Sequence, residues 1–339
     1  MNKIIKIIAI VLASLFVVMI GVGIWTYSVA KTAFKDPYAA FERPESTLES
    51  IEPNREVVIE SPEGEEVTYE KATGLVNILL LGIDSTDERE AKHKGWRSDV
   101  MMLCTFDMTN GTINMLSFPR DLYVDVYKMD TKTGEVTGTT KNRINTAYSK
   151  GGGPKKHGAK NAMLTVENLM SLDGQLDIDI DYYVSLDIDA LPKIASAIGP
   201  VDVELNANVS GLGKKGEVVS VDEKTIDTYL RDRKTSGGDY SRAERQQRYI
   251  VAVAKQLQGK DAVSSAISIY QKISSDIQTN LTVDQIASIA GFVQDFNMDE
   301  LTRHTVEAKG ARLSTGASVQ KLKEEEFRAY LLEHFYQTK

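Results

Sequence analysis

The chain has 339 residues, of which 42% are hydrophobic and 26% charged, and its formal net charge is −8. This length suffices for one large domain or two small ones, and the acidic balance argues against a protein that binds nucleic acid through its overall charge. The single cysteine, Cys104, excludes an internal disulfide and a zinc site made of Cys and His. Since it lies in an apolar run, we predict that Cys104 is a buried strand residue rather than a nucleophile.

The first residues predict a membrane anchor. Two lysines precede an unbroken apolar run, Ile7 to Trp25, which as a helix is long enough to span a bilayer. Because the short basic side stays in the cytoplasm, we expect a tail at residues 1–6, one transmembrane helix at 7–27 and an extracellular remainder held at the cell membrane. A cleaved signal peptide is the alternative, because the Ser-Val-Ala sequence at 28–30 resembles a small-residue cleavage site.

Residues 28–74 are rich in Pro, Glu and Ser, and we interpret them as an extracellular stalk. Within this stalk, two short apolar segments at 57–59 and 67–69 predict a small hairpin. We expect the main domain at residues 75–258. The helices predicted within 259–339 are expected to complete the same globular domain.

Three strands of a central sheet are predicted at the start of the main domain. Val76 to Asp84 is a near-continuous apolar run, typical of a fully buried strand, and a second such run covers 100–106. A turn at Asn110-Gly111 leads into a third strand at 112–118. We expect these strands to deliver charged residues to loops at their ends, where ligands bind in open α/β sheets. The residues are Asp84, Arg97, Asp99, Arg120 and Asp121.

The rest of the chain alternates predicted strands and helices. A polar loop that enters a short helix is expected at 137–148. The further elements are helices at 159–172, 188–198, 262–276, 283–296 and 324–336 and strands at 181–186 and 201–205. This alternation predicts a three-layer α/β/α domain, and the Asn110-Gly111 hairpin makes its central sheet mixed.

An arginine-rich stretch, Asp227 to Leu257, carries the strongest chemical signal. We interpret Arg231 and Arg233 as alternate residues of an extended segment, which would point to the same side. A glycine-containing loop and a helix follow, and on that helix Arg242 and Gln246 lie together. Guanidinium groups bind phosphate oxygens in a two-pronged manner, so the stretch predicts a site for two phosphates. The alternative is a solvated basic helix whose arginines pair with nearby carboxylates.

The carboxylates at the strand ends suggest a metal ion. Hard carboxylate oxygens bind Mg²⁺, which usually keeps waters and shares the phosphates of a substrate. Simple ion pairs of Asp99 with Arg97 and of Asp121 with Arg120 are the alternative. The combination with the arginine-rich stretch favours a joint metal and phosphate site.

A series of motifs follows one order along residues 75–258. They are Asn77–Asp84, Arg97–Asp99, Ser117–Asp121, Asn145–Tyr148, Ile180–Tyr183, Tyr229–Arg233 and Gly238–Gln247. In these motifs the chain resembles the LytR-CpsA-Psr family of Gram-positive cell envelopes. The loop between Asp84 and Arg97 is longer than in the family pattern.

The resemblance implies a fold and a reaction. Members of the family have an α/β/α core that encloses an apolar cavity for a polyprenyl chain. They transfer a glycopolymer phosphate from an undecaprenyl-pyrophosphate carrier to a sugar hydroxyl of peptidoglycan, with Mg²⁺, for which Mn²⁺ could substitute. The polymer stays open among wall teichoic acid, capsular polysaccharide and rhamnose-type polysaccharide, because sugar contacts vary in loops.

The same resemblance implies roles for individual residues. Asp84 and Asp99 would lie near the metal, and Asp239 would orient the arginines. The residues that would hold the pyrophosphate are Arg97, Arg120, Arg231, Arg233, Arg242 and Gln246. Phosphoryl transfer depends on positioning and charge neutralisation more than on covalent help, which agrees with this set. As the base that takes the proton of the acceptor hydroxyl we predict Asp99 or Asp121, and we count Arg120 with them as a catalytic residue.

Other classes of function stay open beside the transferase. A non-catalytic envelope protein would bind the pyrophosphate lipid without forming product, and a hydrolase would use water as the acceptor. A transcription regulator is disfavoured, because the predicted domain is extracellular and the acidic chain has no DNA-binding motif. The expected partners are the lipid-linked glycopolymer, peptidoglycan and the membrane, with no nucleic acid.

Overall fold

The structure, a computed structural model, describes residues 40–41, 56–60, 66–84, 95–232, 238–258 and 261–339. Within these ranges, no helix is both long and apolar enough to cross a bilayer. The anchor predicted at residues 7–27 lies outside the described residues. It stays a prediction.

Strands account for much of the described chain and are numbered here in chain order. They are β1 Glu56–Glu60, β2 Glu66–Lys71, β3 Leu75–Asp84, β4 Arg97–Asp107, β5 Thr112–Ser117, β6 Tyr123–Met129, β7 Val136–Arg143, β8 Tyr182–Asp187, β9 Val201–Glu204, β10 Val218–Val221, β11 Ile277–Thr279, β12 Thr302–Thr305, β13 Ala308–Arg312, β14 Ser318–Leu322 and β15 Tyr336–Thr338.

The helices are numbered in the same way. They are α1 Ala147–Lys150, α2 Gly158–Met170, α3 Leu191–Ile198, α4 Ile226–Arg231, α5 Gly238–Leu257, α6 Ala262–Ile273, α7 Val283–Asp295 and α8 Glu324–Phe335. Short 3-10 helices at Ile144–Thr146 and Ile188–Ala190 precede α1 and α3.

The central sheet has six strands in the order β11-β8-β3-β4-β5-β12. Strands β3, β4 and β5 form an antiparallel series, whereas β8 runs parallel to β3 and β12 runs parallel to β5. The sheet is therefore mixed, as predicted. Two of its strands, β11 and β12, come from the segment 259–339, for which the sequence had indicated mainly helices.

Both faces of the central sheet are covered, as the apolar runs of β3 and β4 require. On one face, Leu79 and Leu81 pack in a cluster with Val166 of α2 and Leu331 of α8. On the other face a second cluster contains the buried Cys104, with residues of α5 and α7 packed against it. Burial raises the pKa of the Cys104 thiol to about 12. The three-layer arrangement and the core position of Cys104 are confirmed.

A second, three-stranded sheet contains the hairpin predicted within residues 28–74. Strands β1 and β2 pair antiparallel, with Val57 opposite Tyr69, and β15 pairs with the other edge of β2. The hairpin prediction is confirmed. Through β15, the segment predicted as a stalk joins the folded part of the chain.

Three local predictions were wrong. Arg97 and Asp99 lie inside β4 rather than in a loop, because β4 continues to pair with β3 as far as Asp84, opposite Arg97. Residues 136–143 form β7 rather than a loop, because they pair with β6 along its whole length. Arg231 ends helix α4 instead of lying in an extended segment, since Ile226, Tyr229 and Leu230 bury one helical face.

Candidate functional site

A small cleft of about 30 Å³ brings together residues that are far apart in the sequence. It is lined by Asp84, Asp99, Val100, Leu230, Arg231, Arg242 and Gln246. Asp84 ends β3, Asp99 lies near the start of β4, and the arginines come from α4 and α5. We call it the arginine cleft. It joins the two predicted metal carboxylates to three of the predicted phosphate-binding residues.

Arg120 reaches the arginine cleft through Asp99. Its Nη1 atom lies 2.9 Å from Oδ2 of Asp99, and the two side chains are only 18% and 11% exposed. An ion pair held in such a setting is screened little by solvent. A predicted phosphate ligand and a predicted base or metal ligand are thus in direct contact, so a phosphate that entered would compete with Asp99 for this guanidinium.

Asp121, the other predicted base, lies between two arginines. Its Oδ1 is 3.2 Å from Nε of Arg143, and its Oδ2 is 3.7 Å from Nε of Arg120. A backbone hydrogen bond holds the loop that carries Asp121: the amide N–H of Ile144 donates to the carbonyl oxygen of Leu122 at 2.7 Å. Asp121 is not among the residues that line the arginine cleft. Its position suits a residue that orients Arg120.

Arg231 contacts two further carboxylates at the rim of the cleft. Its Nη1 is 3.8 Å from Asp189 and 3.9 Å from Asp227, and the side chain is 44% exposed. Burial and the neighbouring carboxylate of Asp187 raise the pKa of Asp189, while Arg231 opposes that rise. Such loose, partly solvated pairs contribute little to stability. Arg231 is therefore well placed to turn towards an anion.

Helix α5 is fixed to α4 by a buried arginine. Arg245 is fully buried, and its Nε donates to the backbone carbonyl of Tyr229 at 2.9 Å. The next residue, Gln246, donates from Nε2 to the carbonyl of Leu230 at 3.4 Å. Burial lowers the pKa of Arg245 against the opposing effect of Asp232. These bonds set the position of α4, and with it Arg231, relative to Arg242.

The remaining predicted site residues are not brought into the cleft by the described structure. Arg97 lies opposite Asp84 in the β3–β4 register, but it is not among the residues that line the cleft. Arg233 lies outside the described residues, and Asp239 is described only as a backbone position of α5. Their roles stay predictions.

Two carboxylates could hold a metal ion here. The described chain contains no group of three or more His, Cys, Asp or Glu side chains able to bind one. Asp84 and Asp99 nevertheless line the same cleft, and Nδ2 of Asn145 is 3.5 Å from Asp99. Oδ1 of Asn145 is buried without a hydrogen-bond partner among the described residues. Mg²⁺ commonly uses one or two carboxylates together with waters and substrate phosphates, so these residues fit it.

Sequence reasoning missed several residues around the cleft. Asn145 belongs to one of the motifs but had no predicted role, Arg143 was expected only as part of a polar loop, and no individual role was predicted for Arg245 in the arginine-rich stretch. Asp189 lies well before the arginine-rich stretch in the chain, and nothing in the local sequence signals that it meets Arg231. Charged residues in folded regions are expected at the surface, so only the tertiary contacts identify them.

The chain is similar to known proteins over most of its length. A sequence profile of the LytR_cpsA_psr family matches residues 41–333. A protein of Halalkalibacterium halodurans, named as the polyisoprenyl-teichoic acid–peptidoglycan teichoic acid transferase TagU, is 31% identical over 288 residues, 84% of this chain and 82% of its own. The corresponding Bacillus subtilis transferase TagV is 29% identical over 251 residues, 71% of this chain and 58% of its own.

Solved structures share the fold. The crystal structure of B. subtilis TagV superposes with a TM-score of 0.61 at 25% identity, covering 78% of this chain and 98% of that one. Protein gbs0355 of Streptococcus agalactiae gives a TM-score of 0.62 at 25% identity, covering 77% and 86%. With the profile match over most of its length and a mixed, doubly covered sheet, the chain belongs to the LytR-CpsA-Psr family.

Proposed function

We propose that the chain is a phosphotransferase that attaches an anionic glycopolymer from a polyprenyl-pyrophosphate carrier, undecaprenyl in the simplest case, to peptidoglycan. The observation that supports this most directly is the convergence of Asp84, Asp99, Arg231, Arg242 and Gln246 on one cleft. The relatives named as teichoic acid transferases favour teichoic acid as the polymer. Capsular and rhamnose-type polysaccharides are the other donors to compare.

The arginines would bind the diphosphate of the donor. Arg231 and Arg242 line the cleft, and Arg120 borders it through Asp99. Guanidinium forks match pairs of phosphate oxygens and remain charged at any working pH. Gln246 supplies a neutral amide donor at the same wall. This set neutralises the charge that builds on the oxygens during phosphoryl transfer.

The transfer is a single displacement at phosphorus. The oxygen of the acceptor hydroxyl forms a bond to the phosphorus that carries the polymer. The bond from that phosphorus to the bridging oxygen breaks, and polyprenyl phosphate leaves with the electron pair. The hydroxyl proton passes to a carboxylate. Of the two predicted bases, Asp99 faces the cleft, whereas Asp121 lies between Arg120 and Arg143, so we assign the base to Asp99.

Asp84 and Asp99 would also hold Mg²⁺, or Mn²⁺ in its place. When bound, the cation would neutralise the phosphate oxygens and so stabilise the leaving group. Asn145, whose Nδ2 lies 3.5 Å from Oδ1 of Asp99, would orient that carboxylate. The arginines would then act on the phosphate oxygens that face away from the carboxylates.

The lipid tail and the membrane position complete the proposal. A polyprenyl chain needs an apolar cavity next to the arginine cleft, as the family resemblance implies. The anchor predicted at residues 7–27 would keep the domain on the outer face of the cell membrane. A tethered domain can then meet a lipid carrier in the same leaflet without diffusing through the wall.

The test is reconstitution with defined substrates. The full chain in detergent micelles is incubated with lipid-linked teichoic acid, capsular and rhamnose-type donors and with peptidoglycan fragments. We expect a phosphodiester-linked product and release of polyprenyl phosphate, both measured by mass spectrometry. Donor binding without product would indicate the non-catalytic alternative. Release of phosphorylated polymer without attachment to the acceptor would indicate a hydrolase.

A further inference from the structure

A second, larger pocket shares a wall with the arginine cleft. Its volume is about 420 Å³, which lies in the range of small-molecule sites. Ile83 lines this pocket, and the next residue, Asp84, lines the cleft. Asp189 lines the pocket and contacts Arg231 of the cleft at 3.8 Å. A group in this pocket would therefore lie next to the diphosphate.

The pocket opens at the carboxyl ends of two parallel strands, β3 and β8. Ser185 and Asp187 come from the end of β8, and Gln278 comes from β11 on the far side. Ligands of open α/β sheets bind at this kind of edge. The fold thus provides two adjoining sites, one for each of the two substrates that a transferase needs.

The polar groups of the pocket are fixed by hydrogen bonds before any ligand arrives. The Ser185 hydroxyl donates to the hydroxyl of Tyr148 at 3.2 Å, and Tyr148 donates to Oε1 of Gln278 at 3.3 Å. Gln278 in turn donates to the carbonyl of Pro154. Ser185 and Tyr148 are both buried. A preorganised row of hydroxyl and amide groups suits the hydroxyls of a sugar.

The charges of the two sites differ. Two guanidinium groups and two carboxylates line the cleft, whereas three carboxylates and no Lys or Arg are among the described residues that line the pocket. Two of the pocket carboxylates pair with cations beyond its lining, Asp276 with Lys193 and Asp189 with Arg231. Carboxylates repel the phosphates of an anionic polymer but accept hydrogen bonds from neutral hydroxyls. The pocket therefore discriminates against the donor polymer and in favour of an uncharged sugar.

We infer that this pocket binds the acceptor, an uncharged hydroxyl-bearing sugar of the peptidoglycan glycan strand, and presents its hydroxyl to the diphosphate in the arginine cleft. The inference rests on the proposed transfer reaction and adds the position of its second substrate. Asp187 and the Tyr148–Gln278 row hold the sugar, and the shared wall at Ile83 and Asp189 sets its distance from the phosphorus.

Two variants test the acceptor pocket. Ser275→Trp places a large ring in the pocket from an exposed position, and Asp187→Asn removes a carboxylate with little change of shape. For each we expect the KM for a soluble peptidoglycan fragment to rise at least about tenfold, while the KM for the lipid-linked donor is unchanged. Ser274→Trp is the matched control, because Ser274 is also exposed but does not line the pocket.

Fragment binding gives a readout that does not depend on transfer. In an NMR titration of the full chain in detergent micelles, a disaccharide-peptide fragment of peptidoglycan should bind, and Ser275→Trp should weaken its Kd to the same degree as the KM. If folded Ser275→Trp and Asp187→Asn keep the wild-type KM and Kd for the fragment, or raise the KM for the donor instead, the acceptor assignment is wrong. Fragment binding without any transfer by the wild type would contradict the proposed function while leaving the pocket assignment in place.

Discussion

The Nε atom of the buried Arg245 donates a 2.9 Å hydrogen bond to the backbone carbonyl of Tyr229. Tyr229 lies two residues before Arg231, so this bond ties the end of α4 to the helix that carries Arg242. Arg245 also donates to the carbonyl of Asp232. The arginines that line the cleft are therefore positioned by an arginine that does not itself line it.

Arg245→Met should disorganise the cleft and weaken the fold. The substitution leaves buried carbonyls of α4 without donors, at about 1–3 kcal/mol of unfolding free energy for each unsatisfied group. We expect a loss of about 3 kcal/mol in urea unfolding and a loss of transfer. The control is Arg248→Ala on the same helix. Arg248 is 30% exposed and pairs with Glu244, and its loss should cost less than about 1 kcal/mol. Equal effects of the two substitutions would contradict the positioning role.

Arg231→Ala should remove transfer without unfolding the protein. The side chain is 44% exposed and its ion pairs are long, so the free energy of unfolding should change by less than about 1 kcal/mol. Loss of a charged donor to the transferring phosphate should lower kcat at least about a hundredfold. Arg231→Lys keeps the positive charge but not the two-pronged guanidinium, so its kcat should lie between those of the wild type and Arg231→Ala. Wild-type kcat in Arg231→Ala would show that this arginine does not face the phosphate.

Asp84→Asn should weaken the binding of Mg²⁺, so that transfer needs a higher Mg²⁺ concentration. Replacing a metal carboxylate by an amide should raise the half-saturating Mg²⁺ at least about tenfold, since even partners outside the metal shell have effects of that size. Chelation should abolish transfer by the wild type. Isothermal titration with Mg²⁺ checks the same change without activity. Asp202→Asn, at an exposed position of β9, is the control and should keep the wild-type affinity.

His304 should make stability depend on pH. Burial lowers the pKa of His304 below its ordinary value of 6.5, an effect that His334 reinforces and Glu307 opposes. Between that lowered pKa and pH 6.5 the unfolded chain binds more protons than the folded one, so stability falls as the pH decreases through this window.

His304→Phe removes the titratable imidazole and can keep the stacking on Tyr330, whose ring centroid lies 4.7 Å from that of His304. The unfolding free energy of this variant should fall less steeply than that of the wild type below pH 6.5. Above roughly pH 7.5 the two slopes should agree. Parallel pH profiles across the whole range would mean that His304 is not the responsible group.

The buried sheet was predictable because burial on both faces produces a recognisable pattern of apolar residues. Strands covered on both faces must be apolar throughout, so the runs of β3 and β4 stand out from their polar surroundings. Helix α7 likewise has an apolar period and a capping box between Thr282 and Gln285. The cleft was partly predictable for the same reason, because Asp84 directly follows a buried run.

The features that were not predicted have no such pattern in the sequence. Strand β7 is exposed or half-buried at every position, so its pairing with β6 produces no alternation of apolar and polar residues. Helix α4 has only six residues, too few to distinguish it from a loop by period. Arg245 is adjacent to other polar residues, and its inward direction depends on the carbonyls of α4, which only the tertiary structure supplies.

Strand β2 has consequences for the order in which the molecule is built. It precedes the strands of the central sheet in the chain, yet one of its edges pairs with β15, close to residue 337. Pairings between segments so distant in sequence form slowly, because the intervening chain must first be brought together. A growing chain therefore carries an open strand edge until residues 336–338 have been synthesised. We expect removal of β15 to leave that edge available to a second molecule, so that shortened chains would associate rather than stay single.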